Sequence, residues 1–332
     1  MRYLLTGGAG FIGSHLAEAL LARGEEVVSL DDLSTGSTLN LEHLEGTPGF
    51  AFHRGTILDD ELVATLAARA DVVVHLAAAV GVKLIVERPL ESLITNIRGT
   101  EVVLDAVARA GCKVLVTSTS EIYGKNADGP LREDADRILG SPFKARWSYS
   151  TAKAVDEVLA HAYGRDRGIS VVVVRLFNCV GPRQTGAYGM VVPRFVRQAL
   201  RGEDLTVYGD GRQRRCFCHV TDTVGAVLAL LDNPGADGEV FNVGSQEEVT
   251  IDELAAMLID MTGSSSTIVH IPYDEAYERG FEDMPRRLPD ISKVTRLTGW
   301  RPSRSLDQTL ADVIEHERQL LERPLAVPEA SL

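Results

Sequence analysis

Tyr149 and Lys153, in the run Tyr149-Ser150-Thr151-Ala152-Lys153, stand four residues apart and so share one face of a helix. A cation beside a phenol favours the phenolate, and the spacing predicts that Lys153 lowers the pKa of Tyr149 enough to make it a base near neutral pH. Upstream, an apolar run ends in Thr117-Ser118-Thr119-Ser120-Glu121-Ile122-Tyr123-Gly124, which gathers hydroxyls and a carboxylate. Thr119 there could polarise a substrate oxygen, Ser120 could hold the substrate, and Glu121 could move a second proton. The chemistry expected is proton removal from a substrate hydroxyl.

Such groups need a scaffold that brings residues 117–121 against 149–153. Strand-like runs at 3–6, 26–30, 72–76, 113–118 and 170–176 alternate with helical patterns at 13–23, 58–69, 91–110 and 150–167, which predicts βαβ units and a parallel sheet. Several strands are apolar throughout, Val171-Val172-Val173-Val174 among them, as expected where helices cover both faces. The fold class expected is α/β, a Rossmann-type doubly wound parallel sheet with a smaller C-terminal substrate-binding lobe. Residues 1–179 would form the nucleotide-binding domain, with 217–243 returning to it. Residues 180–216 and 244–332 would form the lobe, with helices at 190–201, 251–261 and 305–322. In such a sheet, ligands lie at the carboxyl ends of the strands, where 117–121 fall.

The first strand runs into Thr6-Gly7-Gly8-Ala9-Gly10-Phe11-Ile12-Gly13 and then an apolar helix. Gly7, Gly10 and Gly13 permit a tight turn and let backbone N–H groups and the positive helix end approach a pyrophosphate. Asp31, just beyond the second strand, can accept from a ribose 2′-hydroxyl and repels a 2′-phosphate, so NAD is expected over NADP. Asp32 could stand in for it.

The formal net charge of −13 over 332 residues opposes binding to nucleic acid or an anionic membrane, which would need a broad basic face. No apolar run reaches the roughly 18 residues of a membrane span, and the chain opens directly on a strand, so a cytoplasmic protein is expected. Cys112, Cys179, Cys216 and Cys218 are scattered without a CxxC pair or a histidine cluster, which predicts neither disulfides nor a metal site.

An ordered set of segments resembles the extended short-chain dehydrogenase/reductase family, the nucleotide-sugar epimerases, dehydratases and decarboxylases. It comprises the Thr6–Gly13 turn, Asp31-Asp32-Leu33-Ser34-Thr35-Gly36, His75-Leu76-Ala77-Ala78, Asn96, the Ser/Thr strand end, the Tyr149/Lys153 pair, and Arg175-Leu176-Phe177-Asn178-Cys179-Val180-Gly181-Pro182-Arg183. The resemblance implies transient oxidation of a sugar C4 hydroxyl, with Tyr149 taking the proton and Thr119 holding the oxygen. It adds Phe11, Ile12, Ile57, Leu76, Ala77, Tyr149 and Lys153 to the cofactor contacts, although Thr56 stands where many relatives carry an acid. Arg215 would grip the diphosphate of a UDP-sugar, and Asn178 and Val192 would enclose the nucleotide. The helices at 91–110 and 150–167 would pair in a homodimer.

Thr119-Ser120-Glu121 and Arg286-Arg287-Leu288-Pro289-Asp290 resemble the UDP-glucuronate decarboxylases, which makes Glu121 and Arg287 catalytic and gives UDP-4-keto-xylose or UDP-xylose as product. The segment 77–90 departs from the usual decarboxylase loop; Lys83 within it could meet a carboxylate. The alternative reading is a UDP-sugar 4-epimerase, followed by a 4,6-dehydratase and a non-catalytic NAD-binding sensor.

Overall fold

The structure, a computed structural model, describes residues 1–81, 88–186, 190–276 and 284–322. Strands and helices first alternate: β1 (Arg2–Thr6), α1 (Phe11–Ala22), β2 (Glu26–Asp31), β3 (Phe50–Arg54), α2 (Asp60–Ala67), β4 (Val72–His75), α3 (Pro89–Ala110), β5 (Lys113–Thr119), α4 (Ser148–Arg167) and β6 (Val171–Leu176). The rhythm then changes to β7 (Cys179–Val180), α5 (Val191–Arg201), β8 (Leu205–Tyr208), β9 (Arg214–Cys216), β10 (Cys218–His219), α6 (Val220–Leu231), β11 (Val240–Val243), β12 (Glu248–Thr250), α7 (Ile251–Thr262), β13 (Ile268–Ile271), β14 (Arg286–Arg287), α8 (Ser292–Thr298) and α9 (Leu306–Glu322).

Among the described residues the main sheet has seven parallel strands in the order β11-β6-β5-β4-β1-β2-β3. The chain builds outward from β1 to β3, then crosses back to β4, leaving a crevice above the carboxyl ends of β1 and β4. The central strands are buried on both faces, which is why they read as unbroken apolar runs. Sequence patterning missed β3: Phe50-Ala51-Phe52-His53-Arg54 is an edge strand, half-buried to exposed, with no continuous apolar signature.

One apolar core lies between the sheet and α1, α6 and α8, and a second between its other face and α2, α3 and α4. A third is built from α5, α7, α9, β8 and β12 and shares no residue with the first two. Polar contacts join this lobe to the sheet. Arg183 Nη2 donates to Glu18 on α1 at 2.7 Å, and His15 Nε2 lies 3.0 Å from the Pro182 carbonyl. Asp222 on α6 accepts from the Ser303 hydroxyl at 2.7 Å and from the backbone of Arg304 at 2.9 Å. Among the described residues no helix is long and apolar enough to cross a membrane.

The turn after β1 is as tight as its glycines imply. Gly7 has φ +74°, and a Cβ on it would sit 2.7 Å from the backbone nitrogen of Ala77; one on Gly13 would fall on the Gly7 carbonyl oxygen. Gly7→Ala combines backbone strain with a clash against the backbone of Leu76 and Ala77, just past β4, and should lower stability by about 2–4 kcal/mol in thermal or urea melts. A variant melting with the parent would show that the turn yields freely.

Candidate active site

A cavity of about 1480 Å³ opens over the carboxyl edge of the main sheet, between it and α5, β8, β9 and β14. Pockets for one small ligand usually span about 300–1,000 Å³, so this one has room for two. Every residue that the sequence singles out for cofactor, substrate or catalysis borders it, except Lys83, which lies outside the described residues.

Gly7, Gly10, Phe11, Ile12 and Gly13 form the floor at the N-terminus of α1, whose N-cap Gly10 offers no side chain to its free N–H groups. Asp31 ends β2 with its carboxylate accepting from Ala9 N at 3.0 Å and Leu33 N at 2.8 Å. Burial pushes its pKa up, against the pull of those backbone bonds. Asn96 on α3 accepts from Ala79 N at 2.8 Å and donates to Ala79 O at 3.2 Å, which shapes the segment carrying Leu76 and Ala77. Ile57 packs so closely on α3 that a Cβ at Gly99 would strike it. These residues fit a dinucleotide: a cradle too tight for side chains, an uncapped helix end for phosphate and a carboxylate for ribose. Below, His75 sits between the hydroxyls of Thr6 at 2.7 Å and Thr100 at 3.0 Å. Burial lowers its pKa to about 3, so it is neutral and structural.

Tyr149 lies in the first turn of α4 and is hydrogen-bonded to the Thr119 side chain. The spacing predicts that Lys153 acidifies this phenol, but the charges that act on it are those of Glu121 and Asp156. Burial raises the phenol's pKa, the negative charges of Glu121 and Asp156 add to the rise, and the Thr119 bond opposes it. Lys153 Nζ is 2.9 Å from Asp156 Oδ2, both side chains fully buried, so its charge is matched before it can act on Tyr149. Asp156 Oδ1 has no hydrogen-bond partner.

Thr119 Oγ1 also accepts from Glu121 N at 3.2 Å and starts the short helical turn Ser120–Tyr123. Glu121 Oε1 receives Arg287 Nη1 at 2.7 Å, and Arg146 Nη1 pairs with Oε2. Arg287 Nη1 also reaches Ser120 Oγ at 3.2 Å. Burial alone would raise the Glu121 pKa, but Arg146 and Arg287, with Arg215 further out, hold it at about 2. Near neutrality Glu121 is therefore an acceptor with no proton to give. Arg215 and Arg287 are register partners on β9 and β14. Beneath them, Arg175 on β6 donates to both carboxylate oxygens of Glu157, to Tyr123 Oη at 2.8 Å and to the Glu133 carbonyl at 2.7 Å, fixing the end of β5.

On the far wall, Asn178 Nδ2 donates to the Cys216 carbonyl at 2.9 Å, and Val192 sits in the first turn of α5, which has no side-chain cap. Arg194 lies over the Tyr208 ring at 4.2 Å and donates to Thr206 Oγ1 at 2.7 Å. Two site residues escaped the sequence reading. Asp156 carried a signal, its i+3 spacing from Lys153; Arg146, three residues before Tyr149, carried none until its partner Glu121 was in view.

Residues 4–313 match the family profile described as GDP-mannose 4,6 dehydratase. The chain is 43% identical over 320 residues to UDP-N-acetyl-alpha-D-glucosaminuronate decarboxylase of Bacillus cytotoxicus, covering 96% of this chain and 98% of that protein. It is 36% identical over 323 residues to UDP-glucuronic acid decarboxylase 1 of Xenopus tropicalis, covering 97% of this chain and 73% of that one. Among solved structures, UDP-glucuronic acid 4-epimerase of Bacillus cereus, in complex with UDP-glucuronic acid and NAD, superposes with a TM-score of 0.88 at 32% identity, over 96% of this chain and all of the other. With this glycine cradle, Tyr149/Lys153 helix and arginine-lined second lobe, the chain belongs to the GDP-mannose 4,6-dehydratase family of the extended short-chain dehydrogenase/reductases.

Proposed function

We propose that this protein is an NAD-dependent decarboxylase of a UDP-linked hexuronate, acting on UDP-glucuronate or its 2-acetamido analogue. The observation that carries the reading is Arg287, a buried guanidinium that borders the same cavity as the Thr119–Tyr149 pair and bonds to Ser120 and Glu121, the two residues after Thr119. A base and a carboxylate receptor side by side suit a sugar that carries a C4 hydroxyl and a C6 carboxylate. The decarboxylases among the relatives support the same reading.

The Gly7–Gly13 turn and Asp31 would hold NAD+, which would supply the acceptor for the hydride of the sugar C4. Tyr149 takes the proton of the C4 hydroxyl while Thr119 holds that oxygen. Arg287 receives the C6 carboxylate, and Arg215 with the N-terminus of α5 holds the diphosphate. Once C4 is a ketone it lies β to the carboxylate. The electrons of the C5–C6 bond then pass to the C4 oxygen as an enolate, CO2 leaves, and C5 takes up a proton. Glu121, fixed as a carboxylate, keeps the arginines in place and adds negative charge near Tyr149.

A 4-epimerase shares the first half of this chemistry, and the Bacillus cereus structure favours it as the second reading. Incubation of the NAD-loaded protein with UDP-glucuronate, its 2-acetamido analogue and UDP-glucose, followed by mass spectrometry, separates the outcomes. Loss of the mass of CO2 is expected from a uronate. Unchanged mass with an inverted sugar would move the assignment to epimerase, loss of water to dehydratase, and inertness toward all three would end the enzymatic reading.

Tyr149→Phe should lower kcat by about a hundredfold or more while leaving nucleotide-sugar affinity in place. Asp156→Asn removes a negative charge that raises the phenol's pKa. A base must be deprotonated to work, so the ascending limb of kcat/KM against pH should move to lower pH; an unmoved limb would detach Asp156 from Tyr149.

We also propose a homodimer through α3 and α4, which pack side by side and leave Leu90 71% and Val158 69% exposed on their outer faces. Val158→Glu should shift the sedimenting species from dimer to monomer.

A further inference from the structure

Glu121 is buried between two guanidiniums that are held in different ways. Arg146 leaves the helical turn Ala145–Trp147, which runs straight into α4. Its side chain is 5% exposed, its guanidinium lies 5.4 Å from the centre of the buried Trp147 ring, and its Nη1 pairs with Oε2. Arg287 leaves the two-residue strand β14 and reaches Oε1 through one nitrogen at 2.7 Å. Its side chain borders the cavity, as that of Arg146 does. Arg287, on a two-residue strand and bonded to Ser120 and Glu121 through one nitrogen, can turn toward an anion, whereas Arg146 lies by the Trp147 ring and is packed into the start of the helix that carries Tyr149.

We propose that the two arginines divide their work: Arg146 is the permanent counter-ion that keeps Glu121 charged and oriented through the turnover, and Arg287 is the exchangeable one that moves onto the substrate's carboxylate. The inference rests on the hexuronate reading above. A buried carboxylate stripped of its last close cation is strongly disfavoured, so a site with Arg287 alone would set Glu121 and the substrate in competition for one guanidinium. A second cation at Oε2 removes that competition. The charged and titratable groups facing Glu121 are Arg146, Arg287, Arg215 and the Tyr149 phenol. Arg215, the cation with the smallest influence on Glu121, donates to the Arg214 carbonyl at 2.9 Å. Arg146 is accordingly a positioning residue, acting on the reaction through Glu121.

The test uses the full chain loaded with NAD. Arg146→Met should lower kcat for UDP-glucuronate by about tenfold or more with KM changed by less than about threefold, and Arg146→Lys should restore most of the loss. Arg287→Met should instead raise KM by about tenfold or more, with the affinity for UDP alone unchanged. A second readout needs no turnover. In a Tyr149→Phe background, infrared difference spectra on binding UDP-glucuronate should show a protonated carboxyl band between about pH 5 and 8 when Arg146 is also replaced by Met, and none when Arg146 is present. The band should vanish in Glu121→Gln. Arg146→Gln, which keeps a donor without the charge, serves if the methionine variant does not fold.

Arg146→Met with unchanged kcat and no carboxyl band would overturn the proposal. So would a KM increase matching that of Arg287→Met, which would make Arg146 a direct ligand of the substrate. If the parent protein releases no CO2 from UDP-glucuronate, the functional reading falls by itself, and the infrared titration still decides whether Arg146 keeps Glu121 ionised.

Discussion

A carboxylate buried at the end of a strand has to be matched by cations, and Glu121 draws them from distant stretches of chain: Arg146 ahead of α4, Arg215 on β9 and Arg287 on β14. Arg287 is 166 residues away in sequence. Because Arg215 and Arg287 are register partners, the pairing of β9 with β14 presents them to the sheet edge together. The second lobe is thereby drawn over the crevice, and the cavity has a roof. Arg175 completes the arrangement from below by tying β6 to the segment after β5 and to Glu157 on α4.

The two halves of the cavity use different physics. The half over β1 and β2 is shaped by backbone: glycines with no room for a Cβ, an uncapped helix end, and a neutral histidine held between threonine hydroxyls. The half over β5 is shaped by charge, with buried ion pairs already formed: Lys153 with Asp156, Glu121 with Arg146 and Arg287. A ligand entering the first half replaces water at fixed donors. One entering the second half has to exchange partners with existing ion pairs, a more selective event because an ill-matched anion leaves a buried charge alone.

What was legible in the sequence follows from the range over which each feature acts. The glycine turn, Asp31, the Tyr149/Lys153 spacing and the apolar central strands depend on neighbours within a few residues, and local pattern carries them. The edge strand β3 lacked the both-face burial that makes its companions stand out. The phenol of Tyr149 shows the limit of pairwise spacing: Lys153 was visible at i+4, but its effect depends on a third group, Asp156, and on burial. Arg146 has no meaning in its own segment and acquires one when the turn Ser120–Tyr123 brings Glu121 against it. Arg287 was reachable through family resemblance, since nothing near it in the chain points to Ser120 or Glu121.

The seam between lobe and sheet is built from Arg183 and Glu18, His15 and the Pro182 carbonyl, Asp222 with Ser303 and Arg304, and the Glu121–Arg287 pair, while the third apolar core stays entirely on the lobe's side. These contacts are polar, whereas Ile291 and Val294 at α8 tie the C-terminal segment to the first apolar core. Dissolved salt, which screens the exposed ion pairs and leaves the apolar cores intact, therefore acts on the polar part of this seam alone.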